Sequence, residues 1–154
     1  MNRIVVYFSA TGTTKNVGEK IAKRLNADTH EIKPVTPYTD ADLNWMDKKS
    51  RSTLEMKDKS SRPEIIKDDL DLSQYDEILI GFPVWWYTCP TIVATFVESF
   101  DFSNKKIVLW GTSGSSGLGS TKKDLAKCTS AEIVDGRIIH SDKDIDKLIE
   151  SLDK

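Results

Sequence analysis

Five short runs of β-branched and aromatic residues recur along this chain, each followed by a stretch with helical spacing, and that alternation leaves few folds open. The first run, residues 3–8, contains Ile4, Val5, Val6, Tyr7 and Phe8 and ends in a polar turn. A short apolar run bounded by turn residues reads as a buried strand. From about Thr14 to Leu25, Val17, Ile21, Ala22 and Leu25 share one helical face, while Lys15, Glu19, Lys23 and Arg24 share another. That is the pattern of a helix packed on a sheet. Residues 29–32 predict a short second strand, stopped by Pro34 and Pro37, which have no N–H for a ladder.

Residues 78–82 are continuously apolar, as expected of a central parallel strand covered on both faces. Further strands are expected over 106–110 and 132–140, the last interrupted by Gly136. Helices are expected over 91–100, where Ile92, Val93, Phe96, Val97 and Phe100 form a stripe, and over about 121–128. Ser141 is placed to cap a final helix carrying Ile145, Leu148, Ile149 and Leu152. Strands alternating with helices predict an α/β domain, a parallel sheet with helices on both faces. Residues 38–61 are polar, yet Leu43, Trp45, Met46, Leu54 and Met56 suffice for a helix over part of the sheet.

Composition sets the remaining bounds. A chain of 154 residues with 38% apolar content supports one domain with one core and needs no disulfide or structural metal. The formal charge of -2 gives no basic stripe, so a nucleic-acid partner is not expected. Cys89 and Cys128 fall in separate elements and form neither a CxxC pair nor a zinc framework. No run approaches the roughly 20 apolar residues a membrane helix needs, and residues 4–8 are too short for a secretory signal. A soluble cytoplasmic protein is expected.

In an open doubly wound sheet the ligand lies beyond the carboxyl ends of the strands, where strand order reverses. The loops after strands one, three and four are therefore the ones to examine. Ser9, Ala10, Thr11, Gly12, Thr13 and Thr14 place hydroxyls and a glycine immediately before a helix. A helix N-terminus offers unpaired N–H groups and a positive dipole end, which suits a phosphate; the same hydroxyls would also serve as plain caps. Lys15 and Lys20 are too generic to assign to it. The spacing is not GxxxxGK[ST] and no GxGxxG follows the first strand, which leaves a monophosphate rather than a triphosphate or dinucleotide.

The second loop, Pro83, Val84, Trp85, Trp86, Tyr87, Thr88, Cys89 and Pro90, sets three large rings side by side after a buried strand. One reading stacks a flat heteroaromatic ring on them. The other gives one Trp to the core and the second to a partner interface. The third loop, residues 111–120, mixes Thr112, Ser113, Gly114, Gly117 and Gly119 with further serines. Its glycines allow the backbone to approach the edge of a planar ligand, although such loops often merely connect elements.

With these residues in view, the chain resembles the flavodoxins. The stretch Tyr7, Phe8, Ser9, Ala10, Thr11, Gly12, Thr13, Thr14 is similar to their phosphate loop, S/T-x-T-G-x-T, and element order and size match along essentially the whole chain. Gly81, Phe82, Pro83, Val84, Trp85 and Trp86, with Pro90 and the stretch from Thr112 to Gly119, resemble a subgroup whose second loop reads Pro-x-Trp-Trp. The resemblance implies a five-stranded flavodoxin-like sheet of order 2-1-3-4-5 and one noncovalent flavin mononucleotide (FMN). It implies that Ser9, Thr11, Gly12, Thr13 and Thr14 bind the 5′-phosphate. It also implies that Pro83 to Trp86 line the isoalloxazine, with Trp85 or Trp86 stacking, and that Thr112 to Gly117 border the pyrimidine end. The last strand has no room for the insertion of long-chain flavodoxins, so the short-chain form is expected.

The activity so implied is that of an electron carrier working between redox protein partners as a monomer, with no membrane partner. An FMN-dependent NAD(P)H reductase of quinones or nitro compounds is the alternative on the same fold. A flavin-free interaction module is the third, and it predicts a colourless protein. His30 and His140 are expected in or beside strands and have no recognisable nucleophile to serve.

Overall fold

The computed structural model describes residues 2–67, 69–113 and 116–152. Five strands, β1 (Arg3–Tyr7), β2 (Asp28–Glu31), β3 (Glu77–Pro83), β4 (Lys106–Thr112) and β5 (Glu132–Ile138), alternate with helices. The helices are α1 (Thr13–Leu25), α2 (Arg51–Lys57), α3 (Thr91–Ser99), α4 (Thr121–Ala126) and α5 (Asp142–Leu152). The strands form one parallel sheet in the order β2-β1-β3-β4-β5. The order in which strands are added therefore reverses between β1 and β3, and the carboxyl ends of both open onto the same edge.

Side-chain alternation distributes each central strand between two cores. Ile4, Val6 and Phe8 with Ile78, Ile80, Phe82, Ile107 and Leu109 face α3 and Leu125 of α4. Val5, Tyr7, Leu79, Val108 and Trp110 face Ile21 and Ala22 of α1 and Ile145, Leu148 and Leu152 of α5. A strand with both faces covered has no polar side, which is why β1, β3 and β4 read as continuous apolar runs. In the register of β3 and β4, Gly81 lies opposite Trp110. A Cβ at Gly81 would stand 2.1 Å from the indole ring, so the missing side chain is what makes room for it. The indole Nε1 donates to the Leu79 carbonyl at 3.2 Å, satisfying its one donor in the core.

Two expectations change in detail. β5 does not simply break at Gly136: the register skips it, pairing Asp135 with Leu109 and Arg137 with Trp110, as in a bulge. Only Arg51–Lys57 of the polar stretch 38–61 is helical, capped by Ser50, whose hydroxyl accepts from the Thr53 N–H. Before it, the Asn44 and Asp47 side chains accept from the amides of Met46 and Lys49. Short polar side chains that capture nearby amides favour turns over a continued helix. No helix among the described residues is long and apolar enough to cross a membrane.

Candidate functional site

The turn from β1 into α1 leaves helix amides without partners. Gly12 is the N-cap, in the left-handed region at φ 97°, where a side chain would be strained; it supplies no side-chain cap, and the first turn carries no acidic residue. The Ser9 hydroxyl accepts from the Gly12 N–H at 3.0 Å, which closes the loop upon itself. Space beyond Gly12 is open, with no heavy atom within 4 Å of where its Cβ would stand. Thr11 and Thr13 are exposed and Thr14 is buried. Because the first amides of a helix have no intrahelical acceptor, this cradle fits a phosphate. Thr14 contributes differently: its hydroxyl lies 2.8 Å from that of Thr112, a buried bond tying α1 to the end of β4. Lys15 and Lys20 turn to Glu31 and Asp142, each at 3.4 Å, consistent with leaving both out of the anion site.

The three adjacent rings after β3 divide into two roles. Trp85 is partly buried and packs edge-on against Phe8 at 5.8 Å and Tyr38 at 5.6 Å between ring centres, while Phe8 and Tyr38 meet at 5.6 Å. Trp86 and Tyr87 project outward, 43% and 72% exposed. They do so on a tight turn: Trp85 and Thr88 exchange backbone bonds of 2.9 and 3.1 Å, and both residues between them have positive φ, 46° and 64°. Hairpin turns of this kind normally employ Asn and Gly. Bulky residues held there cost on the order of 1–3 kcal/mol each, strain that collects at ligand sites.

Backbone contacts sew the second and third loops together. The Val84 N–H donates to the Thr112 carbonyl at 3.0 Å and the Ser120 N–H to the Tyr87 carbonyl at 2.9 Å. Asp124 in α4 accepts from the hydroxyls of Thr88 at 2.6 Å and Ser120 at 3.0 Å. Burial opposes its ionisation, yet those hydroxyl donors hold its carboxyl below the usual range. Gly119, at φ 59°, lies so close that a Cβ would stand 1.8 Å from the Tyr87 carbonyl oxygen. Gly119→Ala is therefore expected to push the two loops apart. It should cost about 1–3 kcal/mol of stability and weaken ring binding more than phosphate binding, which a parallel titration with FMN and with inorganic phosphate checks.

Ser113 bonds Ser116 hydroxyl to hydroxyl at 2.8 Å and accepts from its N–H at 2.9 Å. Gly117 is exposed; Gly114 lies outside the described residues. Pro83 and Val84 are partly buried at the rim, and Ala10 packs on the core beneath the anion loop. Ser9 to Thr14, Pro83 to Trp86, and Thr112, Ser113, Ser116 and Gly117 all lie at or just after the carboxyl ends of β1, β3 and β4.

Residues 2–154 match the family model described as Flavodoxin. The chain belongs to the flavodoxin family. A candidate flavoprotein from Bacteroides eggerthii DSM 20697 superposes with a TM-score of 0.92 at 37% identity, over 99% of this chain and 96% of that one. Another from Bacteroides uniformis ATCC 8492 gives 0.84 at 38% identity, over 97% of each chain. A flavoprotein from Lactobacillus acidophilus NCFM, solved in complex with FMN, shares the fold at 22% identity, with a TM-score of 0.69 over 96% of this chain and 98% of that one. No match was found among curated proteins.

This flavodoxin-family site also recruits residues that sequence reasoning missed. Tyr38 donates to Glu55 at 2.5 Å, Arg51 Nε donates to the other Glu55 oxygen at 3.0 Å, and the Arg51 guanidinium stands 3.8 Å over the Tyr38 ring. Burial, and then the bond to Glu55, pushes the Tyr38 phenol up, so it remains a donor. This clamp fastens α2 to the Phe8–Tyr38–Trp85 cluster and brings Trp45 beside the second loop. The Arg51 to Glu55 spacing of four was visible in the sequence, but Tyr38 lies outside any helical period. Cys89 is buried, and burial followed by Asp124 pushes its thiol up to about 12, as suits a packing residue. His30 stacks on Phe96 at 5.8 Å from β2, and His140 follows β5.

Proposed function

We propose that this chain binds one FMN and works as a monomeric electron carrier between redox proteins, in the short-chain form with a Pro-x-Trp-Trp loop. The observation that carries the reading is the strained Trp86–Tyr87 turn, which presents exposed rings at the same end of the sheet as the uncapped α1 amides. The fold relative solved with FMN supports the choice of nucleotide. When bound, the flavin supplies the redox chemistry, and the protein supplies position and electrostatics.

In this reading Ser9, Thr11, Gly12 and Thr13 hold the 5′-phosphate, while Thr14 fixes the helix start against Thr112. Trp85 is committed to Phe8 and Tyr38, so Trp86 is the residue that stacks on the ring. The Trp85 and Tyr87 carbonyls are already engaged by the Thr88 and Ser120 amides. The carbonyl of Val84 or of Trp86 would therefore be the one to accept a hydrogen bond from an N–H at the ring edge. Thr112, Ser113, Ser116 and Gly117 border the pyrimidine end.

Anaerobic photoreduction of the FMN-loaded protein tests the carrier role. Reduction in two resolved one-electron steps, with no oxidation of added NADH or NADPH, is the expected result. Rapid NAD(P)H turnover with a quinone or nitro acceptor would instead establish the reductase reading.

A further inference from the structure

Among the described residues seven large apolar side chains are exposed, and three of them, Trp45, Trp86 and Tyr87, line one groove. Val84, Trp85 and Ser116 complete its walls, and its volume of about 450 Å³ falls within the range of small-molecule sites. Trp86 and Tyr87 come from the second loop. Trp45 comes from the connection between β2 and α2, outside all three loops the sequence singled out.

Trp45 is 70% exposed, yet its backbone is held in place. Thr39 and Asp42 exchange side-chain bonds with each other's amides at 3.0 and 3.2 Å, and the Asp42 carbonyl accepts from Ser52 at 2.9 Å. The Asp47 N–H donates to the Asn44 carbonyl at 3.1 Å, closing the turn that carries Trp45. Downstream the Tyr38–Glu55–Arg51 clamp fixes the segment to Trp85. An indole on a fixed backbone, left in water beside two other exposed rings, is surface prepared for a flat apolar ligand. The third loop, which borders the groove at Ser116, contains no aromatic residue between Gly111 and Ser120. Any aromatic wall beyond the second loop's own Trp86 and Tyr87 therefore comes from another part of the chain.

We propose that Trp45 is that wall: a flavin-contacting residue which receives the isoalloxazine ring in the groove it shares with Trp86. This rests on the FMN reading above and adds the β2–α2 connection to the ring site. The contact is with the ring, so it is independent of the phosphate.

Titration of the wild-type protein and of Trp45→Ala, Trp45→Phe and Leu54→Ala with FMN and with riboflavin tests it. Binding is read from flavin fluorescence and from quenching of protein tryptophan emission. Trp45→Ala is expected to weaken FMN and riboflavin alike by roughly five- to tenfold. Trp45→Phe should recover part of the loss, and Leu54→Ala, exposed on the same segment but outside the groove, should bind as wild type. The share of emission quenched on binding should fall in Trp45→Phe. Unchanged affinities and unchanged quenching in both Trp45 variants, with FMN still bound by the wild type, would overturn this inference alone. Failure of the wild type to bind FMN would remove the functional reading and this inference together.

Discussion

Trp110→Ala is expected to lower the unfolding free energy by about 3–5 kcal/mol, the usual cost of emptying a buried Trp site. For a domain whose total stability is on the order of 5–15 kcal/mol, that is a large share. The ring is fully buried between α1, α5 and the sheet and occupies the space Gly81 leaves opposite it. Gly81→Ala should therefore be nearly as damaging, because its Cβ meets an indole held by the Nε1 bond to Leu79. The pair should be strongly coupled: in a Trp110→Leu background, where the ring is gone, Gly81→Ala should cost little. Urea unfolding of the two single variants and the double variant measures this coupling directly. Additive losses would mean that the glycine is required for some reason other than the ring.

The second large effect concerns the anion loop. Thr13→Glu places a carboxylate on the first turn of α1, beside the amides assigned to the phosphate. At about 5 Å and an effective dielectric near 20, each unit of like charge costs about 3 kcal/mol, roughly a hundredfold in affinity. The fold should not suffer, since Thr13 is exposed and a helix start favours negative charge. The expected outcome is thus a loss of FMN affinity of at least a hundredfold, with riboflavin, which has no phosphate, bound as before. Equal losses for both ligands would place the phosphate elsewhere.

These two expectations come from different levels of the molecule. The turn from Ser9 to Thr14 was legible because its signal is local: it follows a strand and opens a helix, and the geometry of a helix start needs no distant partner. The order of elements was legible too, since a strand buried on both faces must be apolar throughout and a helix on a sheet must be striped. Even Gly136 announced itself, although only the β4 register shows that it is skipped in a bulge rather than ending the strand.

Hydrophobic pattern and turn chemistry along the chain thus determined the α/β class, the strand positions, the hydroxyl-rich turn that opens α1 and the flavodoxin resemblance. Only the tertiary structure decided how the rings divide. Trp85 and Trp86 are neighbours with the same side chain, and what separates them is contact with Phe8 and Tyr38 and the positive φ imposed by a turn that Thr88 closes. The β2–α2 connection was read as helix because its apolar residues were counted without the side chains of Asn44 and Asp47, which capture nearby amides and hold it in turns. Its contribution to the site, Tyr38 against Trp85 and Trp45 beside Trp86, joins residues about 40 positions apart. Such contacts have no sequence period, because they are set by where the sheet brings two loops rather than by the repeat of a strand or helix.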